Sequence, residues 1–215
     1  MTSAAGAREF SRVMRAAALA LGYPDREWRR SLPLLQAAAA VTGPPGGHLR
    51  TFLGRVEAFD AGGLQQAYVD TFDLRRRCCP YLTYYSHGDT RKRGMALLRF
   101  TAAYRAAGFE QVKGEGEAGG GELPDHIAVV CEFSAAEPDR GRALFRQHRA
   151  GVELLRTALD EAGSPWLHVV DAIRAVLPRP APRDLLRALH LARTGPPAEE
   201  VGLEPFAPPE YMGHR

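Results

Sequence analysis

Apolar residues recur along this chain at intervals of three and four, with charged residues between them, and strict alternation is scarce. That period belongs to amphipathic helices with one buried face, so an all-α fold is expected. Leu64, Tyr68 and Phe72 step by four and predict a helix ending near Cys79, because Pro80 disfavours a helical conformation in the residue before it. Leu97, Phe100 and Tyr104 form the inner stripe of the next helix, with Asp89 or Thr90 as its cap, Leu97 and Leu98 entering the core, and Gly108 closing it. Ile127 to Phe133 is apolar on nearly every face. A buried strand would fit that run, but partner strands are missing, so a central buried helix is expected, with Pro124 in its first turn and Asp125 at its positive end. Leu144, His148, Val152, Leu155 and Leu159 predict one long helix stopped by Gly163. Ser164 and Pro165 then open a helix carrying Trp166, Val169, Val170, Ile173 and Leu177, which Pro178 terminates. A short last helix is expected over Asp184 to Arg193.

Glycine and proline divide the pattern. The stretch QVKGEGEAGGGE, residues 111–122, reads as a mobile loop between two helical halves. Eight of the 16 prolines lie from Pro178 onward, so residues 194–215 read as an extended tail behind a single helical domain over 1–193. A chain of 215 residues is long enough for one full core.

Charge adds a polarity that the average hides. The net charge is +3, yet Asp70 to Arg93 holds six Lys/Arg against three Asp, and Gly108 to Asp139 holds eight Asp/Glu against one Lys. An acidic side and a basic side are expected. No apolar run approaches the roughly 20 residues that span a bilayer. Arg8, Glu9, Arg12 and Arg15 punctuate the N-terminal alanine stretch, which therefore reads as the first helix of a cytoplasmic protein. Cys78, Cys79 and Cys131 cannot build a disulfide framework and are expected as free thiols.

Motifs that carry chemistry are scarce in the sequence. No Gly-rich phosphate loop, C-x-x-C pair or H-E-x-x-H is present, so nucleotide, zinc and metalloprotease readings lack support. Cys78, Cys79 and His87 are a weak metal set of unknown mutual geometry. No histidine stands beside an evident nucleophile. The basic trios Arg75 to Arg77 and Arg91, Lys92, Arg93 invite a nucleic-acid reading, but Asp70, Asp73 and Asp89 interleave with them, and Asp89 can pair with Arg93 four residues on.

The stretch YVDTFDLRRRCCPYLTYYSHGDTRKRGMALLRFTAAYRAAG, residues 68–108, followed by ELPDHIAVVCEF, resembles the NarJ family, the nitrate reductase assembly chaperones of the TorD-like group. The motifs that carry it are Y-V-x-T-F-D, G-D-T-R-x-R-G-x-A-L and E-L-P-D-H; the resemblance covers residues 64–133 best. It implies an all-helical cytoplasmic chaperone of the TorD-like/NarJ type, not an enzyme and without a cofactor of its own. Its implied partner is the apo catalytic (alpha) subunit of respiratory nitrate reductase, held mainly by its N-terminal segment and kept competent for molybdenum cofactor insertion. Nucleic acid and direct membrane insertion are not implied, while molybdenum cofactor delivery proteins are left open as further partners. A sibling chaperone for another molybdoenzyme, or a helical nucleic-acid-binding regulator, are the alternatives.

In such a protein a client helix would lay its apolar face in a groove, with its basic residues toward the acidic segment. Tyr68, Phe72, Tyr84 and Tyr85 are the expected apolar wall, and Glu122, Asp125, His126 and Glu132 the acidic side. Asp125 has an alternative role in favouring its helix N-terminus, and His126 in a backbone hydrogen bond. With an unperturbed pKa of about 6.5, His126 would make client binding pH-dependent. Arg91, Lys92 and Arg93 are a second client surface, or face solvent.

Overall fold

The structure, a computed structural model, describes residues 4–110 and 122–197. The expected mobile loop, apart from Glu122, and the tail beyond Pro197 lie outside the described residues. Eleven α-helices and one 3₁₀ turn make up the described fold, whose only strand-like feature is an isolated antiparallel bridge between Tyr81 and His126.

The first four helices are α1 (Ala4–Ala20), α2 (Arg26–Ala39), α3 (Pro44–Val56) and α4 (Ala61–Phe72). Asp25 and Asp60 cap α2 and α4, their carboxylates accepting from the amides of Trp28 at 2.7 Å and Gly63 at 2.6 Å. Helix α4 ends seven residues before the expected Cys79. A separate 3₁₀ turn over Arg76–Cys78 carries the chain to Pro80, because the charged run Asp73 to Arg77 is exposed and has no apolar face to bury.

Then follow α5 (Tyr84–His87), α6 (Arg91–Arg105), α7 (Ile127–Ala136), α8 (Pro138–Gln147), α9 (Arg149–Glu161), α10 (Leu167–Val176) and α11 (Pro182–Thr194). Helix α7 is the expected central helix: Ile127, Val130 and Cys131 are fully buried, and it packs along α1. It starts later than expected: Pro124 and Asp125 precede the helix, and His126 is its cap. The long helix expected through His148 is two: His148 leaves the helical region at φ −107°, ψ 20°, and α8 meets α9 there. Leu98 is a further correction, since it is exposed while Ala96, Phe100 and Tyr104 face inward.

The largest fully buried side chain is Trp166, at the cap of α10. Its ring meets Phe52, Tyr68 and Phe72 with centroids 5.4 to 6.3 Å apart, and its indole N–H donates to the Ala20 carbonyl at 3.0 Å. Burying an aromatic of this size removes on the order of 200 Å² from water. Helices α9 and α10 are further pinned by ions: Glu153 accepts from Arg149 at 2.8 Å and pairs with Arg174 at 2.9 Å, while Asp171 joins Arg174 and Arg156. Gly151 lets α9 approach the segment before α5, where a Cβ would lie 3.0 Å from the Leu82 carbonyl.

Candidate functional site

A cavity of about 810 Å³ opens where the 3₁₀ turn, α5, α9 and the end of α11 converge. Its apolar lining comes from Tyr84, Tyr85, Leu154, Ala158 and Leu191. Arg76, Arg77 and Arg193 stand around it together with Glu161 and Asp89. Arg77 pairs with Glu161 at 3.5 Å, both side chains largely exposed. Arg76 donates to the Tyr84 hydroxyl at 3.2 Å, and the Tyr85 hydroxyl lies 2.9 Å from the carbonyls of both Arg77 and Cys79. The two rings are thereby fixed against one another, edge to face at 6.0 Å.

A buried polar node behind this wall holds α5 in place. Asp125, with no exposed surface, accepts through Oδ2 from the Thr83 amide at 3.0 Å and the Thr83 hydroxyl at 2.5 Å. Backbone bonds from Leu82 N–H to the Asp125 carbonyl and from Ile127 N–H to the Pro80 carbonyl fasten the same two segments. Arg93 reaches in from α6, 2.9 Å from Asp89 and 3.9 Å from Asp125, and lies over the rings of Tyr81 and Tyr84. A chain of contacts thus runs from Asp125 through Thr83 and Arg93 to the cavity wall at Tyr84.

The expected site residues separate into four positions. Tyr84 and Tyr85 line the cavity. Tyr68 and Phe72 are in the core against Trp166, and Tyr68 donates to the Leu21 carbonyl at 3.1 Å. Glu122, Asp125 and His126 gather around Tyr81: its hydroxyl donates to Glu122 at 3.0 Å and its ring meets His126 edge-on at 5.2 Å. Glu132 is exposed on α7 and is not part of the cavity lining. The basic trio divides too, with Arg91 and Lys92 exposed and Arg93 turned inward.

Titration follows from burial. Desolvation lowers the His126 pKa below 6.5, opposed by Glu122 and Asp125, and its Nδ1 accepts from the Ala128 amide at 3.2 Å. Burial raises Tyr81, an effect that neighbouring Glu122 reinforces. Burial also raises all three thiols, Cys79 to about 11, so they stay protonated at neutral pH. Among the described residues no group of three His, Cys, Asp or Glu is placed to hold a metal ion, and no helix is long and apolar enough to cross a membrane.

Leu154, Ala158 and Leu191 were not anticipated as site residues. Leu154 and Ala158 sit four apart on α9, beside the inner stripe of Val152, Leu155 and Leu159, and a second apolar face on one helix was the signal available.

The family model for the nitrate reductase delta subunit matches residues 26–171. The nitrate reductase-like protein NarX of Mycobacterium tuberculosis is 36% identical over 75% of this chain, which spans only 24% of that protein's length. The probable nitrate reductase molybdenum cofactor assembly chaperone NarJ of Bacillus subtilis is 30% identical, over 73% of this chain and 83% of its own. NarJ of Escherichia coli is 30% identical over 55% of this chain and 49% of its own length. A redox enzyme maturation protein of Archaeoglobus fulgidus, known by crystal structure, shares the fold at a TM-score of 0.57 over 77% of this chain and 91% of its own, with 24% identity. Helical architecture, motif content and family match agree, and this chain belongs to the nitrate reductase delta subunit family, the family of the NarJ chaperones.

Proposed function

We propose that this protein is an assembly chaperone for respiratory nitrate reductase, binding the apo catalytic subunit by its N-terminal segment and keeping it competent for molybdenum cofactor insertion. The protein binds and releases; it does not catalyse. The observation that carries the reading is the cavity between α5, α9 and α11, with a rigid aromatic wall and an apolar floor. Its volume lies within the usual range for ligand sites, about 300–1,000 Å³. An amphipathic helix would place its apolar anchors there and its basic residues toward exposed Glu122 and Glu132.

Magnitudes favour releasable binding. Three buried anchors contribute about 1.5–3 kcal/mol each, whereas ordering a flexible client segment costs on the order of 2–5 kcal/mol. Apolar contact alone leaves a modest surplus, so charge complementarity matters to affinity. Asp125 enters as a positioning residue, holding Thr83 and through it the Tyr84 wall.

The test is calorimetric titration with a synthetic peptide from the N-terminus of the same organism's nitrate reductase catalytic subunit, beside a scrambled peptide of equal charge. Selective binding of the authentic peptide is expected. Equal binding of both, or none, defeats the client assignment, and a leader from another molybdoenzyme that binds in its place redirects it.

A further inference from the structure

The cavity has a wall that belongs to no helix. After α11 the chain turns at Gly195, φ +75°, and Pro196 and Pro197 run across the cavity's edge to the turn that follows α5. There Pro197 meets Gly88 so closely that a Cβ at Gly88 would overlap the Pro197 carbonyl oxygen. Gly88 also has φ +55°, a region that favours glycine. The crossing therefore depends on the missing side chain, and it leaves the chain at the edge of the cavity that Arg76 and Arg77 also line. The sequence that comes next, residues 198–215, holds Glu199, Glu200, Glu204 and Glu210 against a single arginine, interleaved with Val201, Leu203 and Phe206. Acidic and apolar residues in that order complement an apolar cavity whose rim carries Arg76, Arg77 and Arg193 against Asp89 and Glu161, a net positive charge.

We infer that residues 198–215 of this same chain occupy the cavity in the absence of client, as an internal competitor that the client peptide displaces. The occupancy of the cavity by the tail stands on the strap and the charges; only its displacement by client rests on the proposed function. A tethered segment of this length meets its site at an effective concentration of order 1 mM. A contact worth only about 0.1 mM in trans then fills the cavity roughly nine-tenths of the time and weakens any competing ligand about tenfold. Binding stays specific because only a peptide better than the tail is retained.

The experiment uses the full chain and two full-length variants, Gly88→Ala and Glu199→Gln/Glu200→Gln/Glu204→Gln, the second leaving every described contact unchanged. Two ligands are titrated: the dye anilinonaphthalene sulfonate, which reports the open cavity whether or not a client exists, and the nitrate reductase peptide. Both should bind the glutamine variant about tenfold more tightly than the parent, and a synthetic 198–215 peptide should displace the dye from that variant with a Kd near 0.1 mM. Unchanged dye binding in the glutamine variant, or no displacement by the tail peptide, overturns the inference whatever Gly88→Ala does. Dye uptake that rises while no chain binds the nitrate reductase peptide upholds the tail's place in the cavity and removes the client reading instead.

Discussion

The region around Trp166 and the region around the cavity are built by opposite rules. In the first, α1, α3, α7 and α10 bury Phe10, Met14, Phe52, Ile127, Trp166 and Ile173 almost completely. In the second, α11 buries only Ala188 and leaves Leu185, Leu186 and Leu189 exposed, while α5 is a single turn held by polar contacts from outside itself. Elements with few buried apolar contacts open at low free-energy cost, and binding segments are drawn from them. A rigid body, including the fixed Tyr84–Tyr85 wall, thus carries a cavity whose α11 side can give way.

The contrast can be broken most directly at Trp166. Trp166→Ala should lower unfolding stability by about 3–5 kcal/mol, measured by urea titration, because the aromatic cluster cannot close over the gap. A loss under about 1 kcal/mol would mean that the core is no tighter than the cavity side.

Next in size is a pH effect. Burial holds the His148 pKa down at about 4, with the positive charges of His87, Arg187 and Arg99 acting in the same direction. The unfolded chain therefore binds the proton first, so stability is whole above pH 6.5 and is lost as pH falls toward 4. His126 and His168 are also lowered and share the sign. For His148 the loss is at most about 3 kcal/mol, and His148→Gln should flatten the unfolding midpoint against pH across this window. Client affinity, by the same sign for His126, should be level from pH 7 to 8.

Asp125→Asn joins the two regions. It keeps the shape but weakens charge-assisted bonds to Thr83 and the field on Arg93, costing about 2 kcal/mol. Peptide affinity should fall with it, because Tyr84 loses its backing; a native fold with undiminished affinity would separate Asp125 from the site. Leu154→Ala should do the reverse, changing stability by less than about 1 kcal/mol at a half-buried position while reducing peptide affinity about tenfold, read by calorimetry. The smallest effect belongs to Arg91→Gln/Lys92→Gln, which should leave stability within about 0.5 kcal/mol and peptide binding intact. Loss of full-length client binding alone would identify a second contact surface there.

How far the sequence could be read differs from place to place. Helix α7 was legible because a run apolar on all sides, with no partner strand, has to be a buried helix. The Asp89–Arg93 pair was legible because four residues is one helical turn. The break at His148 was not, since apolar spacing continues through it and only the packing of α8 against α7 and of α9 against α11 demands a change of direction. Tyr68 and Phe72 looked like groove aromatics for the same reason: an amphipathic stripe states that a face is covered, not by what. Trp166 covers it.

Local information alone determined the helical class, the cap position at Thr90, the acidic and basic segments and the motifs that mark the family. All of these depend on residues within one or two turns of each other. Tertiary structure decided where the cavity lies, that Asp125 is buried behind it rather than exposed within it, and that Pro197 crosses at Gly88. Those facts join residues 42 or more positions apart, such as Thr83 with Asp125, and such contacts are selected by the packing of the whole chain rather than by any stretch of it.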